Sequence, residues 1–402
     1  MPLRPPAGFI SAFFDPLNNP NAPTIGTATA GDAQASVTFT APANYGGSVI
    51  TQFDAISSPS GIIGTAASSP ITVTGLTNGT SYTFAVWATN TYGPSAYSAS
   101  SGSVTPVGIL GVFMGGYLGT YTSYVSYTQY VNIPTTGNAT FFGNLTAGTG
   151  YTTGCASSTR GLMGGGTTQA VNPVNTIEYI TIASAGNATD FGDLTSARNE
   201  LASVNSSTRG VFIGGSGSGT MDYVTIASTG NATSFGSLGF GTSLLSGCNS
   251  PTRGVFSCGT VSGSASNVLY YITTATTGNG TDFGDLSQVI GYSASCSSST
   301  RGLFAGGVSS GDSTNVINYV TIASAGNSTD FGDLTQSIYG AAGCSSNTRG
   351  LFGGGTRYSD FAKVNVISYV TIASTGNATD FGDLLETLTG LAACSNANGG
   401  VQ

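Results

Sequence analysis

The sequence predicts an all-β protein, in which a small β-sandwich is followed by a ring of six four-stranded sheets. Short apolar runs rich in β-branched and aromatic residues alternate with Gly, Ser, Thr and Asn, and 61 of the 402 residues are glycine. This composition is typical of many short strands. A tract related to Gly-Asn-Ala-Thr-Asp-Phe-Gly-Asp-Leu recurs six times after residue 108, at spacings of 44 to 50 residues. Such a period indicates an array of supersecondary units, none of which buries its apolar face alone.

The charge of the chain excludes several classes of partner. Only 6% of the residues are charged, nine are basic, and the formal net charge is −8. A nucleic-acid-binding surface needs clustered Lys and Arg. No stretch approaches the roughly 18 apolar residues that span a bilayer, and the N-terminus lacks the apolar segment of a secretion signal. We therefore expect no nucleic-acid partner, no membrane anchor and no general secretion route.

The chain opens with a Pro-rich arm over residues 1–20. Its large apolar side chains include Phe9, Ile10, Phe13 and Phe14. An apolar arm without a domain of its own either docks on a partner subunit or is a frayed terminus. The sequence leaves both interpretations open.

Residues 21–107 have the pattern of a β-sandwich, with short alternating strands between turns. Leu76 and Tyr82 have the spacing of a tyrosine corner. The segment resembles a fibronectin type III domain, with Phe39 where that family usually has Trp. Residues 104–108 are predicted to form a short, Pro-stiffened linker.

Each later repeat is predicted to contain four strands, a to d. In the sixth repeat they cover residues 339–344, 349–355, 367–373 and 379–384. Strand c is an almost continuous β-branched and aromatic run, typical of a strand buried on both faces. Strand b ends in Gly-Gly, where one backbone passes close to another. The repeats resemble the blades of kelch β-propellers, with Phe381 where that family usually has Trp.

The two ends of the array predict how the ring closes. The first repeat begins directly on strand b at residues 111–116, and an unmatched strand a follows the last repeat at residues 388–394. This C-terminal strand would complete the first blade and leave no open sheet edge. We therefore expect a six-bladed kelch-like propeller over residues 108–402.

One arginine precedes strand b in five repeats, and Asp-Phe-Gly lies in strand d of four. The arginines are Arg160, Arg209, Arg253, Arg301 and Arg349, and the aspartates are Asp190, Asp282, Asp330 and Asp380. Residues that recur in this way usually serve the repeat itself, so we expect Arg–carboxylate or Arg–carbonyl ties between strands or blades. A ring of arginines that reads an acidic glycan is the alternative.

The other repeated motifs are interpreted structurally. Asp-Phe-Gly has no phosphate loop or catalytic lysine around it. Asp190 and Asp193 are too few for calcium, which takes six to eight oxygen ligands. The six Asn-X-Thr sequons are predicted to be Gly-Asn hairpin turns. Five of the six cysteines share one strand-a position, which Val204 holds in another repeat, and we expect free thiols in a reducing cytoplasm.

The face that carries the b–c and d–a loops varies between repeats, whereas the opposite face is monotonous. Repeat proteins concentrate binding on the face that bears insertions, and tyrosines give a large, rigid contact area. The candidate recognition surface comprises Tyr117, Tyr121, Tyr124, Tyr127, Arg357, Tyr358, Phe361 and Lys363. In the alternative interpretation these side chains only cover the ring.

The composition argues against an enzyme. The chain has no histidine, which excludes a Ser-His-Asp triad, His-ligated copper and an ordinary catalytic zinc site. Acidic residues outside the repeated positions are scattered singly, which gives little support to a two-carboxylate glycosidase. We expect a non-enzymatic protein without cofactor or metal.

The order of arm, fibronectin-like domain and repeats resembles virion structural proteins of tailed bacteriophages, particularly marine and cyanobacterial ones. The resemblance rests on residues 4–12, 23–37 and 369–383. It implies an arm anchored to other virion proteins, assembly in the host cytoplasm, and a multicopy or homo-oligomeric tail fibre or adhesin. Its propeller would contact a host-surface glycan or protein. A purely architectural or decorative role, and a cellular kelch-type adaptor, are the alternatives.

Overall fold

The computed structural model describes residues 17–119, 123–309 and 311–397. The all-β prediction is confirmed, because the regular elements of these residues are β-strands joined into antiparallel sheets. The chain divides into two compact units, Met1–Gly108 and Ile109–Gln402. Within the described ranges, no helix has the length and apolarity needed to cross a bilayer. The arm residues Phe9, Ile10, Phe13 and Phe14, and also Tyr121, lie outside the described residues.

The first unit contains two sheets that share one core. The three-stranded sheet has the order Thr24–Gly31, Gln34–Thr40, Ile71–Thr74. The four-stranded sheet has the order Ile63–Ala66, Gln52–Ser58, Thr83–Asn90, Gly93–Pro94. Alternate apolar side chains of both sheets pack together, as Phe39 and Phe53 do with ring centroids 4.7 Å apart. The period-2 pattern therefore places one face of each sheet in the core.

Tyr82 ties the end of this unit together. It is buried, and its hydroxyl accepts a hydrogen bond from the backbone N of Thr77 at 3.1 Å. Val104 pairs with Tyr82 and packs on the core, while the carbonyl of Pro106 accepts from the backbone N of Gly79. The prediction of a linker over residues 104–108 is therefore wrong for residues 104–107, because the apolar side chain of Val104 and backbone hydrogen bonds, the last from Val107 N to the carbonyl of Gly31, bind them to the sandwich.

The second unit contains six sheets, each with strands a, b, c and d in spatial order. Sheet 1 comprises Ala392–Ser395, Leu110–Met114, Tyr127–Asn132 and Thr140–Asn144. Sheet 2 comprises Thr153–Ala156, Arg160–Gly164, Thr176–Thr181 and Thr189–Asp193. Sheet 3 comprises Ala202–Asn205, Arg209–Ile213, Ser218–Thr225 and Thr233–Ser243. Sheet 4 comprises Ser246–Asn249, Arg253–Ser257, Val268–Thr273 and Thr281–Asp285. Sheet 5 comprises Ala294–Ser297, Arg301–Ala305, Val316–Thr321 and Thr329–Asp333. Sheet 6 comprises Ala342–Ser345, Arg349–Gly353, Val366–Thr371 and Thr379–Asp383.

Short additional strands lie in the loops. Sheet 3 is extended by Thr260–Val261 and Ser264–Ala265. Two-residue pairs join Tyr117–Leu118 to Ser123–Tyr124, Thr149–Gly150 to Thr167–Thr168, and Val308–Ser309 to Asp312–Ser313.

Sheet 1 is assembled from two distant parts of the chain. Its strand a pairs antiparallel with strand b, with Cys394 opposite Val112. The backbone N of Leu110 also donates to Asn396 Oδ1 at 2.8 Å. Each strand a packs against strand a of the next sheet, and strand a of sheet 6 packs against that of sheet 1.

Strand d carries a bulge that explains its repeated Asp-Phe-Gly. In sheet 2 the register shifts between Ile177 and Glu178, so Phe191 points inward and is buried. Gly192 has φ +144°, and a β-carbon there would lie 2.6 Å from the backbone of Gly230 in sheet 3. Only glycine allows this approach of two backbones.

Candidate functional site

The five repeat arginines link neighbouring sheets. Arg253, at the start of strand b in sheet 4, donates through Nη1 to the carbonyls of Ile322 and Ala323 in sheet 5, at 3.0 and 2.8 Å. Its guanidinium carbon also lies 4.3 Å from the ring centroid of Tyr271. Equivalent contacts, at least one carbonyl of the next sheet and the tyrosine ring of the arginine's own sheet, are made by Arg160, Arg209, Arg301 and Arg349. Because the guanidinium groups are engaged by carbonyls and aromatic rings, the geometry favours the tie over a glycan-reading arginine ring.

The repeated aspartates do not take part in this arginine tie. Asp190, Asp282, Asp330 and Asp380 are exposed on strand d. Among the described residues the ion pairs are Arg198–Asp222 and Arg357–Asp360, so the predicted Arg–carboxylate tie is wrong for these four. The arginines reach carbonyls that follow strand c of the next sheet, whereas the aspartates are exposed on strand d of their own sheet.

The Gly-Asn pairs lie in the c–d hairpin connections, as predicted, and they also link sheets. In sheet 3, strands c and d are joined by residues 226–232, and Asn231 lies near the end of this connection. Its Oδ1 accepts from the backbone N of Asp193 in sheet 2 at 3.0 Å. Asn138, Asn187, Asn279, Asn327 and Asn377 make the equivalent bond. Each asparagine therefore satisfies a backbone donor at the edge of the preceding sheet.

A buried polar side chain of strand c forms a further inter-sheet contact. Glu178 Oε1 accepts from the backbone N of Thr146 in sheet 1 at 3.0 Å, and Gln129 Oε1 accepts from Leu385 N at 2.7 Å. Burial raises the pKa of Glu178, because the charged carboxylate loses hydration. These residues are buried and link neighbouring sheets.

One backbone position in each d–a connection has a left-handed conformation, with φ between +55° and +69°. The six positions are Tyr151, Glu200, Leu244, Tyr292, Gly340 and Gly390. Backbone hydrogen bonds connect them in turn, as between Tyr151 N and Gly390 O, Glu200 N and Tyr151 O, and Gly390 N and Gly340 O. Four of the six carry side chains although this conformation is unfavourable by about 1 kcal/mol or more outside glycine. Such residues often cluster at functional sites.

A cavity of about 410 Å³ opens beside this set of positions. It is lined by Tyr117, Tyr151, Glu200, Tyr292, Val308, Tyr339, Gly340, Tyr358, Thr389 and Gly390. We call it the tyrosine pocket. Gly340, between sheets 5 and 6, and Gly390, between sheets 6 and 1, supply no side chain, which leaves the space open. The volume lies within the range of small-molecule sites, about 300 to 1,000 Å³.

The aromatic rings of the pocket form a continuous series. Neighbouring centroids are 5.1 Å apart for Tyr117 and Tyr151, 6.3 Å for Tyr151 and Tyr292, and 6.2 Å for Tyr292 and Tyr339. Tyr339 and Tyr358 follow at 6.2 Å. These distances are those of tilted, mutually stabilising aromatic pairs. The rings therefore form a rigid apolar wall with polar hydroxyl tips.

Polar contacts orient two of these tyrosines. The hydroxyl of Tyr151 donates to that of Tyr117 at 2.8 Å, and the hydroxyl of Tyr292 donates to Glu200 Oε1. At the rim, the ammonium of Lys363 lies 4.9 Å from the centroid of Tyr117 and donates to the carbonyl of Gly119. Burial lowers the pKa of Lys363.

Some of the predicted recognition residues lie in or beside the tyrosine pocket, and others do not. Tyr117 and Tyr358 line the pocket. Tyr124 packs edge-on against Tyr117, Lys363 lies over the Tyr117 ring, and Phe361 packs against Tyr358 with 63% of its surface exposed.

Two other predicted residues have no part in the pocket. Arg357 is paired with Asp360 at 2.8 Å on the surface. Tyr127 is the first residue of strand c in sheet 1 and packs on the hydrophobic core. Its assignment to the recognition surface is wrong, because it falls in the strand that follows the loop.

Sequence reasoning missed Tyr151, Glu200, Tyr292 and Tyr339. Each lies in a short d–a loop, and a single aromatic or acidic residue there is unremarkable by itself. For Tyr151, Glu200 and Tyr292 the repeats did contain a clue. They lie four residues before the shared cysteine or valine of strand a, and this position varies between Tyr, Glu, Leu and Gly while the residues around it repeat.

A larger cavity of about 540 Å³ lies at the opposite end of the sheets, between sheets 6 and 1. Its polar lining comes from the a–b turn at residues 346–349, which recurs in the other repeats, and Arg349 is already bonded to the carbonyls of Ile133 and Pro134. The tyrosine pocket is the better candidate because its lining is specific to it.

Neither comparison with known proteins assigns a family. No protein-family model matches the sequence, and no curated protein matches it significantly. In the part of the chain that the structure describes, no group of three or more Cys, Asp or Glu side chains is placed to hold a metal ion. The function is therefore inferred chiefly from the geometry of the tyrosine pocket.

Proposed function

We propose that the chain is a fibronectin type III-like sandwich followed by a six-bladed kelch-like propeller, closed by the C-terminal strand. The contact of Tyr82 with the backbone of Thr77 supports the first part. The second is supported by the six sheets of common strand order, the successive packing of their innermost strands and the pairing of Cys394 with Val112. The inter-sheet ties, which run from sheet 6 to sheet 1 as they do elsewhere, favour closure.

The propeller is a non-enzymatic adhesin, and the tyrosine pocket is its binding site for a saccharide of a host surface. The observation that carries this proposal is the pocket, in which five tyrosines surround a cavity of about 410 Å³. Aromatic faces stack on the C–H faces of sugar rings, and tyrosine hydroxyls and a carboxylate hydrogen-bond sugar hydroxyls. Such a site needs little side-chain reordering, since the rings already pack on one another.

A binding role suits the pocket better than catalysis. Glu200 is the single carboxylate among the lining residues, whereas glycoside hydrolysis ordinarily uses a pair. The Glu200 carboxylate is also engaged by Tyr292. A lone oriented carboxylate is suited to accept hydrogen bonds from a ligand.

The virion assignment rests on the sequence resemblance of the arm, the sandwich and the repeats. In this proposal the arm of residues 1–20 attaches the protein to other virion proteins, and many copies sum weak contacts with the host. An architectural or decorative protein would use the variable loops against a neighbouring subunit and bind no saccharide. A cellular adaptor would bind a protein on the same face.

The test is binding of the full-length protein to immobilised dextran, chitosan oligomers and polygalacturonate, which are neutral, cationic and acidic. We compare wild type with Tyr339→Ser, Tyr358→Ser and Gly340→Tyr. The last variant fills the pocket without removing a side chain, and tyrosine already adopts the same backbone conformation at Tyr151 and Tyr292. The β-carbon at Gly340 meets chiefly the hydroxyl of Thr389, at 2.6 Å.

Tyr92→Ser is the matched control, because Tyr92 is 48% exposed and lies in the first unit. We expect each pocket variant to weaken binding about tenfold or more, with Tyr92→Ser unchanged. Unaltered binding by Gly340→Tyr would exclude the pocket. Failure of folded wild-type protein to bind any probe, even in multivalent form, would favour the architectural role.

A further inference from the structure

The charges in and around the tyrosine pocket indicate which class of saccharide it would bind. Its lining contains one carboxylate, Glu200, and no Lys or Arg among the described residues. The faces of its five tyrosine rings carry the negative end of the aromatic quadrupole. The chain as a whole has a formal charge of −8. All three contributions attract a cation and repel an anion.

A carboxylate beside several aromatic faces is an arrangement that binds organic ammonium groups. The hydroxyl of Tyr292 holds Glu200 Oε1, and Tyr292 itself packs 6.3 Å from Tyr151 and 6.2 Å from Tyr339. The negative charge is therefore oriented by a residue that also forms the aromatic wall. The rim shows the same preference within the protein, since the ammonium of Lys363 lies over Tyr117.

The volume distinguishes between cationic ligands. A cavity of about 410 Å³ is larger than a small methylated ammonium group needs, and it suits one or two sugar rings within the size range of ligand pockets, about 300 to 1,000 Å³. Stacking of sugar faces on tyrosine and pairing of an ammonium with Glu200 can thus occur together.

We propose that the tyrosine pocket is selective for saccharides that carry a protonated amino group, with Glu200 as the counter-ion. This inference rests on the proposed function and specifies its ligand class. The ammonium binds against Glu200 while the sugar rings stack on the tyrosines. Anionic saccharides are excluded, because Glu200 and the ring faces repel a second negative charge.

The experiment compares two disaccharides that differ in charge and in two acetyl groups, and the Glu200→Gln variant isolates the effect of charge. Full-length protein is titrated with the β-1,4-linked glucosamine disaccharide and with its N,N′-diacetyl form, by calorimetry, at a pH that keeps the amines protonated. We expect the free amine to bind about tenfold more tightly, a difference typical of a partly desolvated cation–carboxylate and cation–π contact. Added salt should reduce this preference.

Glu200→Gln keeps the shape of the side chain and its hydrogen bond with Tyr292 while removing the charge. We expect this variant to bind the two disaccharides within about threefold of each other, mainly through loss of affinity for the amine. Lys363→Gln removes the neighbouring positive charge at the rim and should raise affinity for the amine about two- to threefold. If the role of Glu200 were purely structural, Glu200→Gln would instead weaken the binding of both disaccharides equally.

The outcomes separate the two proposals. Equal or tighter binding of the diacetyl form by wild type would overturn the preference for an amino group but keep the saccharide site. Loss of binding of both ligands in Gly340→Tyr would assign that binding to the pocket. If wild-type protein binds neither disaccharide and also none of the three polysaccharides, the adhesin proposal itself fails.

Discussion

The sulfur of Cys155 in sheet 2 occupies the space that a β-carbon at Gly210 in sheet 3 would need. The two positions are 2.7 Å apart, well inside van der Waals contact, and the next nearest atom, Cγ2 of Val224, is 3.7 Å away. The same relationship joins Cys248 to Gly302, Cys296 to Gly350, Cys344 to Gly111 and Cys394 to Gly161. Each of these strand-a cysteines therefore packs against the glycine that is the second residue of strand b in the next sheet.

Gly210→Ala should therefore destabilise the protein. The added methyl group must displace a buried sulfur, and overpacking of this kind costs about 1 to 3 kcal/mol. The measurement is the urea midpoint of the second unit, followed by tyrosine fluorescence.

Two variants test the cause. Gly278→Ala adds the same methyl group where no atom lies within 4 Å, so we expect little change. Combining Gly210→Ala with Cys155→Ala should recover part of the loss, because the two sites are in contact. Strict additivity of the two substitutions would contradict direct packing.

Arg301→Ala should lower the free energy of unfolding by about 2 kcal/mol, since it removes a charged hydrogen bond and a cation–π contact. Arg301 Nη1 donates to the carbonyl of Ile372 at 2.9 Å, and the guanidinium lies 4.4 Å from the centroid of Tyr319. Chemical denaturation measures the change.

The control for this arginine is Arg357→Ala. Its ion pair with Asp360 is about half exposed, with 42% and 51% of the two side chains accessible, and exposed pairs contribute about 0 to 1 kcal/mol. If Arg301→Ala and Arg357→Ala lowered the free energy of unfolding equally, the contacts of Arg301 with the next sheet would contribute no more stability than an exposed ion pair.

Glu178→Gln should stabilise the protein at neutral pH by about 1 kcal/mol. Burial raises the pKa of Glu178 even though Thr146 hydrogen bonds oppose the shift, and Oε2 has no hydrogen-bond partner. Gln129 holds the equivalent position in sheet 1 and makes the same backbone contact. The amide therefore suits the site without the cost of a buried charge.

The stabilisation expected from Glu178→Gln should depend on pH. Because the pKa of Glu178 is higher in the folded than in the unfolded state, its favourable contribution is present below the unfolded pKa, about 4.3, and is lost as the pH rises through the folded pKa. The advantage of Glu178→Gln should consequently shrink in acid. Urea titrations in neutral and mildly acidic buffers measure it, and a constant difference would argue against a buried charge.

The six thiols should be unreactive in the folded protein. All six cysteines are buried, and burial raises the pKa of Cys258 and of Cys394 to about 12. Since the thiolate is the reactive form, Ellman's reagent should label none of them in native, mildly alkaline buffer and all six in guanidinium. The protonated thiols also stabilise the fold below the unfolded pKa, about 8.5, and that contribution declines as the pH rises towards 12. Rapid labelling of the native protein would contradict this.

The repeat made much of the fold predictable. The β-branched and aromatic composition of strand c predicted a buried strand. The missing strand a of the first repeat predicted that the C-terminal strand pairs with strand b of sheet 1, as Cys394 does with Val112. The roles of Arg253 and Asn231 were harder, because each bonds to a backbone group in another sheet. Every residue has a backbone carbonyl and nearly every residue a backbone N–H, so residue types do not reveal which of these groups a side chain bonds. The sequence therefore showed that Arg253 and Asn231 recur but not what they contact.

The pocket was predictable only in part. Tyr117 and Tyr358 lie in loops that differ visibly from their counterparts, and the variable face drew attention to them. Tyr151 and Tyr292 come from sheets 2 and 5, and their rings meet at 6.3 Å although 141 residues separate them in the chain. Such a meeting depends on how the six sheets are arranged, which no local pattern contains.

The six left-handed positions beside the pocket also have an evolutionary consequence. At Gly340 and Gly390 the backbone already has the conformation that tyrosine, glutamate and leucine adopt at the equivalent positions. A single codon change there would add a side chain to the cavity while the ties at the opposite face stay as they are. Under the proposed function, substitution at these two positions alters what the pocket recognises without any insertion, and at Gly340 it requires only a local shift of Thr389, whose hydroxyl lies 2.6 Å from the added β-carbon.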